Sequence, residues 1–282
     1  MRSKKKCGLS KPTDQIDGMV VPKVLYMFWH DGKPGKELRH MISLAKRMNP
    51  TWKVRLLSEK SPCAKPQGFE KLQPAHKSDW YRISYIEKYG GVWMDISCIH
   101  LRPLEAWVDL RSSALQGFRW PGRTTTMENW AFAAPAGNAF VREWKREFES
   151  AIVMGFATYK RRYDKNLLGS DTEMFSLPYL TQHAAWRVVR RRFPQAKHPE
   201  FRVTLRRSID PASGPLAIPY AIDDGDELAR LLSTAPAERY REMPFIKLRG
   251  WDRVGLLELL TESERVPCGH VIKLLRWKHC GR

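Results

Sequence analysis

Two short stretches of this chain carry side chains whose types and spacing could do chemistry. In Ser78-Asp79-Trp80-Tyr81-Arg82, an acid and a guanidinium stand three residues apart, so on a helix they project from the same side. Taken alone, such a pair is what an N-terminal cap and a surface ion pair would show, and it would contribute little. In Val92-Trp93-Met94-Asp95-Ile96-Ser97-Cys98-Ile99, a carboxylate is set inside an apolar run rich in β-branched and aromatic residues, which reads as one buried strand. Alternation would put Val92, Met94 and Ile96 on one face and Trp93, Asp95 and Ser97 on the other. A charge in that position is costly unless it meets a cation or a metal, so Asp95 needs a partner.

The elements that must position these groups follow from the local sequence. Ser78 is expected as the N-cap of a helix of about three turns, with Gly90-Gly91 as its stop. Upstream, residues 21–30 predict a first strand, 35–48 a helix with Leu38, Met41, Ile42, Ala45 and Met48 on one stripe, and 52–57 a second strand. That βαβ order is the outline of a nucleotide-binding half-fold. Phe28 and Trp29 close the first strand, and a flat aromatic there can stack on a base or simply fill the core. Residues 58–77, rich in Pro and Lys, read as an irregular connection, 114–118 as a short strand, and 120–126 as a loop able to cover a site. Met127–Ala134 predicts a strand, 138–152 a helix with an aromatic core stripe, and 170–193 a helical stretch ending in Arg190-Arg191-Arg192. After a strand over 201–209, Asp223-Asp224-Gly225-Asp226 lacks the closing glutamate of a calcium loop and reads as a turn into a helix capped by Asp226. Lys247, in the apolar run Pro244–Arg249, wants an anion, and Arg249 would face the same way.

Ser78-Asp79-x-x-Arg82 followed by Tyr89-Gly90-Gly91-Val92-Trp93-Met94-Asp95-x-Ser97 resembles the signature of the capsular polysaccharide synthesis glycosyltransferases. It is similar also to the wider DXD-type, GT32-like group that includes yeast-type initiating mannosyltransferases and clostridial glucosylating toxins. The resemblance spans roughly Val20 to Arg249 and implies an α/β GT-A fold, a Rossmann-like mixed sheet flanked by helices. It implies a hexosyltransferase-type enzyme moving a sugar from a nucleotide sugar, a UDP-sugar, to a glycan hydroxyl with retention of configuration, in capsule or other polysaccharide biosynthesis. By matching positions it makes Asp79 and Arg82 sugar contacts and Asp95 the holder of a divalent metal, Mn²⁺ or Mg²⁺, on the donor diphosphate. Val21-Pro22-Lys23 with Phe28-Trp29 resembles the family's first strand near the donor nucleotide. Met127–Ala134, with Asn129, looks like its strand beside the transferred sugar, where an amide can bond hydroxyls as donor and acceptor and where Glu128 is a weaker candidate. Pro244–Arg249 resembles its late element, in which a lysine, here Lys247, approaches the diphosphate. One departure matters: the second acid of D-x-D is Ser97, a ligand without charge, which would weaken metal binding and lean it on the diphosphate.

Composition is compatible with this. The 282 residues, 43% of them hydrophobic, can bury a sizeable core, and no apolar run approaches a membrane span. The expected organisation is a basic disordered arm over 1–19, a catalytic domain over 20–255, and a basic C-terminal extension over 256–282. Five scattered cysteines without metal spacing argue for a reducing, cytoplasmic setting. A net charge of +19 biases the surface toward polyanions: diphosphate donors, a glycan or lipid-linked glycan acceptor, or peripheral contact with the anionic inner face of a membrane. A protein acceptor is one alternative. A nucleic-acid-binding module is another, but no RRM, KH or helix-turn-helix pattern is visible, and no nucleic-acid partner is expected.

Overall fold

The computed structural model describes residues 20–120, 126–163, 178–222, 224–250, 252 and 271. The arm over 1–19, residues 121–125 of the expected covering loop, residues 170–177 of the expected helical stretch, Asp223, and the C-terminal extension apart from Val271 lie outside the described residues. The chain divides into two compact units, the first made of Met1–Gly32, Arg55–Met94 and Asp109–Leu205, the second of Lys33–Val54, Asp95–Val108 and Arg206–Arg282.

The first unit is built on a mixed sheet. Its strands are β1 (Val24–Phe28), β2 (Lys53–Leu57, in this unit from Arg55), β3 (Gly91–Met94), β5 (Leu115–Arg119), β6 (Met127–Ala134) and β7 (Val203–Arg207, in this unit as far as Leu205), in the order β2-β1-β3-β6-β5-β7. β3 runs parallel to β1, with Leu25 beside Val92, and antiparallel to β6, with Trp93 beside Phe132. Helices α2 (Pro74–Tyr89), α3 (Ala139–Met154), α4 (Phe156–Arg162) and α5 (Thr181–Arg192) complete the unit. A mixed sheet with packed helices is the α/β architecture expected.

Helix α2 is buried on nearly every side, so its tyrosines must find acceptors inside the fold. The Tyr81 hydroxyl donates to the carbonyls of Glu59 and Ser61, and Tyr85 donates to that of Pro62, which pins the irregular connection to the helix. The helix begins four residues before the expected cap: Gln73 is the cap and Pro74 the first helical residue, because the fixed φ of proline suits that position. Ser78 lies inside the helix. At the other end Gly90 and Gly91 have φ of +65° and +104°. A Cβ on Gly90 would meet the Ala136 nitrogen at 2.5 Å, and one on Gly91 the Val24 carbonyl at 2.6 Å, so this turn lets β3 start immediately against β1.

The single strand expected over 92–99 is interrupted. β3 ends at Met94, residues 95–97 form a turn closed by Cys98 N–H donating to the Asp95 carbonyl, and β4 (Cys98–His100) pairs antiparallel with β8 (Phe245–Lys247) in the second unit. Asp95 and Ser97 therefore sit on a turn rather than on one strand face. Helix α1 (Lys36–Met48) packs against β4, burying Leu38, Met41, Leu44 and Ala45, while Ile42 and Met48 are half-buried. Asn49 at its end accepts from Leu104 N–H and bonds the His100 ring, which burial drives down to a pKa of about 4. α6 (Ala217–Ala221) and α7 (Gly225–Thr234) follow; the cap of α7 is Asp224, not Asp226, because its carboxylate is the one in reach of Glu227 N–H.

Gly91→Ala should lose about 2–4 kcal/mol of stability in denaturant titration, because neither its φ nor the Val24 carbonyl accommodates a methyl. His100 is neutral in the folded protein where an unfolded histidine would take a proton. Its contribution is therefore present above pH 6.5 and lost as pH falls toward 4, and denaturation measured across that window should be less steep in His100→Gln.

Candidate functional site

The first unit gathers a polar cluster around the helix α2 pair. Arg82 Nη2 lies 3.3 Å from Asp79 Oδ1, and both residues are 5% exposed, so this is a buried ion pair rather than a surface one. Such a pair is tolerated only if its remaining hydrogen-bonding capacity is met, because desolvation of two charges offsets their attraction. Two other elements supply further hydrogen bonds to it. Arg82 Nη1 donates to the Asn129 carbonyl at 2.8 Å, and the Asn129 side-chain amide donates to Asp79 Oδ1 at 3.1 Å. From α5, the fully buried Gln182 accepts from Asn129 Nδ2 at 2.8 Å and donates to the Asp79 carbonyl at 2.5 Å. The guanidinium also lies 5.4 Å from the centre of the Trp93 ring, and Ser78 Oγ is within 3.4 Å of Nη2.

Of the residues expected near a donor, Asp79, Arg82 and Asn129 are thus brought together by α2 and β6. Gln182 was not foreseen; it falls where a helix was expected, but nothing local marks it as the partner of a residue 103 positions away. Nothing local marks its neighbour His183 either. Burial first, and the Arg82 charge second, push that imidazole down to a pKa of about 3. Glu128 is buried beside Asn129 and accepts from the Trp130 indole at 2.8 Å. Phe28 is buried and stacked on Tyr81 at 5.1 Å, a core position, whereas Trp29 is half-buried beyond the strand end, its ring tilted against His30.

The second unit gathers the other candidates. Lys247 Nζ donates to Ser97 Oγ at 2.9 Å and to the Leu248 carbonyl at 2.7 Å, and lies 3.7 Å from Asp95 Oδ2. The cation that Asp95 was expected to meet is this ammonium. Nearby Cys98 is buried, and burial pushes its thiol well above the usual range against the pull of Lys247. Arg249 does not join Lys247: its guanidinium is held by the buried Asp252 carboxylate and by the Ile222 carbonyl.

No group of three or more His, Cys, Asp or Glu side chains that could hold a metal occurs among the described residues. The donor set still fits a hard cation of one particular kind. Mg²⁺ or Mn²⁺ carried on a diphosphate needs only one or two protein oxygens, and Asp95, whose side chain is 27% exposed, offers a carboxylate. Ser97 is a poorer ligand than expected, since its hydroxyl already accepts from Lys247.

Residues 21–114 match the family described as the glycosyltransferase sugar-binding region containing the DXD motif. An O-glycosyltransferase, braB, of Annulohypoxylon truncatum is 26% identical over 156 residues, 45% of this chain and 37% of that protein. A glycosyltransferase, afumC, of Aspergillus fumigatus is 31% identical over 102 residues, 29% of this chain and 26% of that protein. The match therefore spans well under half the length of either curated relative. Among solved structures, the chain superposes on PaToxG glycosyltransferase with a TM-score of 0.41 at 14% identity, over 62% of this chain and 71% of that one. A glycosyltransferase involved in the glycosylation of the major capsid of PBCV-1 gives 0.45 at 12% identity, over 87% and 100%. The stretch that carries Asp79, Arg82 and Asp95 is thus the stretch in which this chain is similar to DXD-type glycosyltransferases.

Proposed function

We propose that this protein is a glycosyltransferase of the hexosyltransferase type that moves a sugar from a nucleotide sugar, a UDP-sugar, to a hydroxyl of a glycan or lipid-linked glycan, with retention of configuration. The observation that carries the reading is the buried Asp79–Arg82 pair, tied to Asn129 and lying within the DXD-region match. A fixed carboxylate and guanidinium with an adjoining amide supply acceptors and donors suited to sugar hydroxyls, and their mutual bonds hold each in one orientation before substrate arrives.

The roles are assigned cluster by cluster. In the first unit, Asp79, Arg82 and Asn129 orient the sugar, and Trp29, half-buried at a strand end, stacks on the base. In the second unit, Asp95 is the protein ligand for Mn²⁺ or Mg²⁺, with Ser97 assisting, and Lys247 places a fixed positive charge for the leaving diphosphate. The metal, when bound, supplies Lewis-acid stabilisation of that diphosphate. The polyanion bias of a +19 chain suits a phosphate-bearing donor and an acceptor presented at an anionic membrane face.

Incubation with UDP-glucose, UDP-galactose, UDP-N-acetylglucosamine and GDP-mannose in the presence of Mn²⁺ should release nucleoside diphosphate from one of them; release from none would reject the proposal. Asp95→Ala should lower that turnover by about 10²–10³-fold and weaken Mn²⁺-dependent UDP binding measured by calorimetry. Arg82→Lys keeps the charge beside Asp79 but loses the fork that reaches the Asn129 carbonyl. It should remain folded by melting curve and lose about 10²-fold in turnover with UDP affinity nearly unchanged.

A further inference from the structure

His183 sits in the first turn of α5 immediately after Gln182, whose amide is committed to Asn129 and Asp79. It is 4% exposed, and neither of its ring nitrogens has a hydrogen-bond partner among the described residues. A buried polar side chain without a partner calls for an explanation, and a group that supplies the missing bonds only when bound is one. The chemistry of that group can be narrowed. The ring is neutral, held so by burial and by Arg82, so it presents one N–H donor and one bare nitrogen acceptor. An anion would find no charge on the ring, and a cation would be placed in the field of the guanidinium. A hydroxyl, itself both donor and acceptor, is matched by either nitrogen. Trp120, half-buried, lies edge to face with the imidazole at 5.0 Å and adds an aromatic surface of the kind that the C–H face of a sugar ring packs on.

We propose that His183 is a further donor-sugar contact, one that recognises a hydroxyl of the transferred sugar beside the Asp79–Arg82–Asn129–Gln182 cluster. The inference rests on the glycosyltransferase reading and adds a residue outside residues 21–114, the stretch that matches the family description.

The distinguishing variant is His183→Leu. If the ring has no partner in the ligand-free protein, replacing it with an apolar side chain leaves the melting temperature unchanged or raised, whereas a structural histidine would lower it. Calorimetry should then show UDP bound as by the wild type and the intact nucleotide sugar, the one of the four donors that the wild type hydrolyses, bound about tenfold more weakly. His183→Gln, which restores a donor and an acceptor, should recover most of that affinity. Equal affinity of wild type and His183→Leu for the intact donor would overturn the proposal, as would an equal loss for UDP and for the donor. A lowered melting temperature, not recovered in His183→Gln, would assign the ring to structure instead. If the wild type binds none of the four donors, the glycosyltransferase reading itself fails, and that result is separate from any difference between the variants.

Discussion

An ion pair that is removed from water has to be completed by neutral hydrogen bonds, and that constraint organises the first unit of this protein. Asp79 and Arg82 are adjacent on one helix and need nothing else to meet. Their burial is another matter: it demands the Asn129 carbonyl and amide from β6 and the Gln182 amide from α5. Three elements distant in sequence are thereby held in register by polar atoms, and Trp80, Trp93, Trp144 and Trp186 are buried in the core of the same unit. Two of these indoles are themselves satisfied, Trp80 by Glu149 and Trp144 by the Gln182 carbonyl, so Gln182 serves the cluster with its side chain and the core with its backbone.

The second unit solves a similar problem differently. Asp95 is only partly withdrawn from water and meets an ammonium rather than a guanidinium. Lysine is a compact point charge with rotatable donors, and here it shares them among a hydroxyl, a carbonyl and the carboxylate. That looser arrangement contrasts with the locked cluster around Arg82.

Much of this was legible where the determinants are local. The i, i+3 spacing of Asp79 and Arg82, the double glycine, and the span of β6 over Met127–Ala134 follow from neighbouring residues alone. The misses share a cause. β propensity runs unbroken from Val92 to Ile99, but the partners differ: Met94 pairs with Ala131, whereas Cys98 pairs with Lys247, and no local pattern announces a change of partner. Ser78 looked like a cap because serine usually is one, yet Pro74 could start the helix earlier. Gln182 and His183 could not have been singled out from spacing, since what makes them interesting is the company they keep across about a hundred residues.

The place of β3 in its sheet has a bearing on how the chain reaches this state. It runs parallel to β1 on one edge and antiparallel to β6 on the other, so it is the seam at which the two senses of pairing meet. Its own helix, α2, is joined to it by nothing more than Gly90, and that contact closes without a long loop. The pairings to β1 and β6 are distant in sequence and pay their ordering entropy late. Joining α2 to β3 is thus a local step, whereas placing β3 in its sheet calls for two partners that lie far off in the chain.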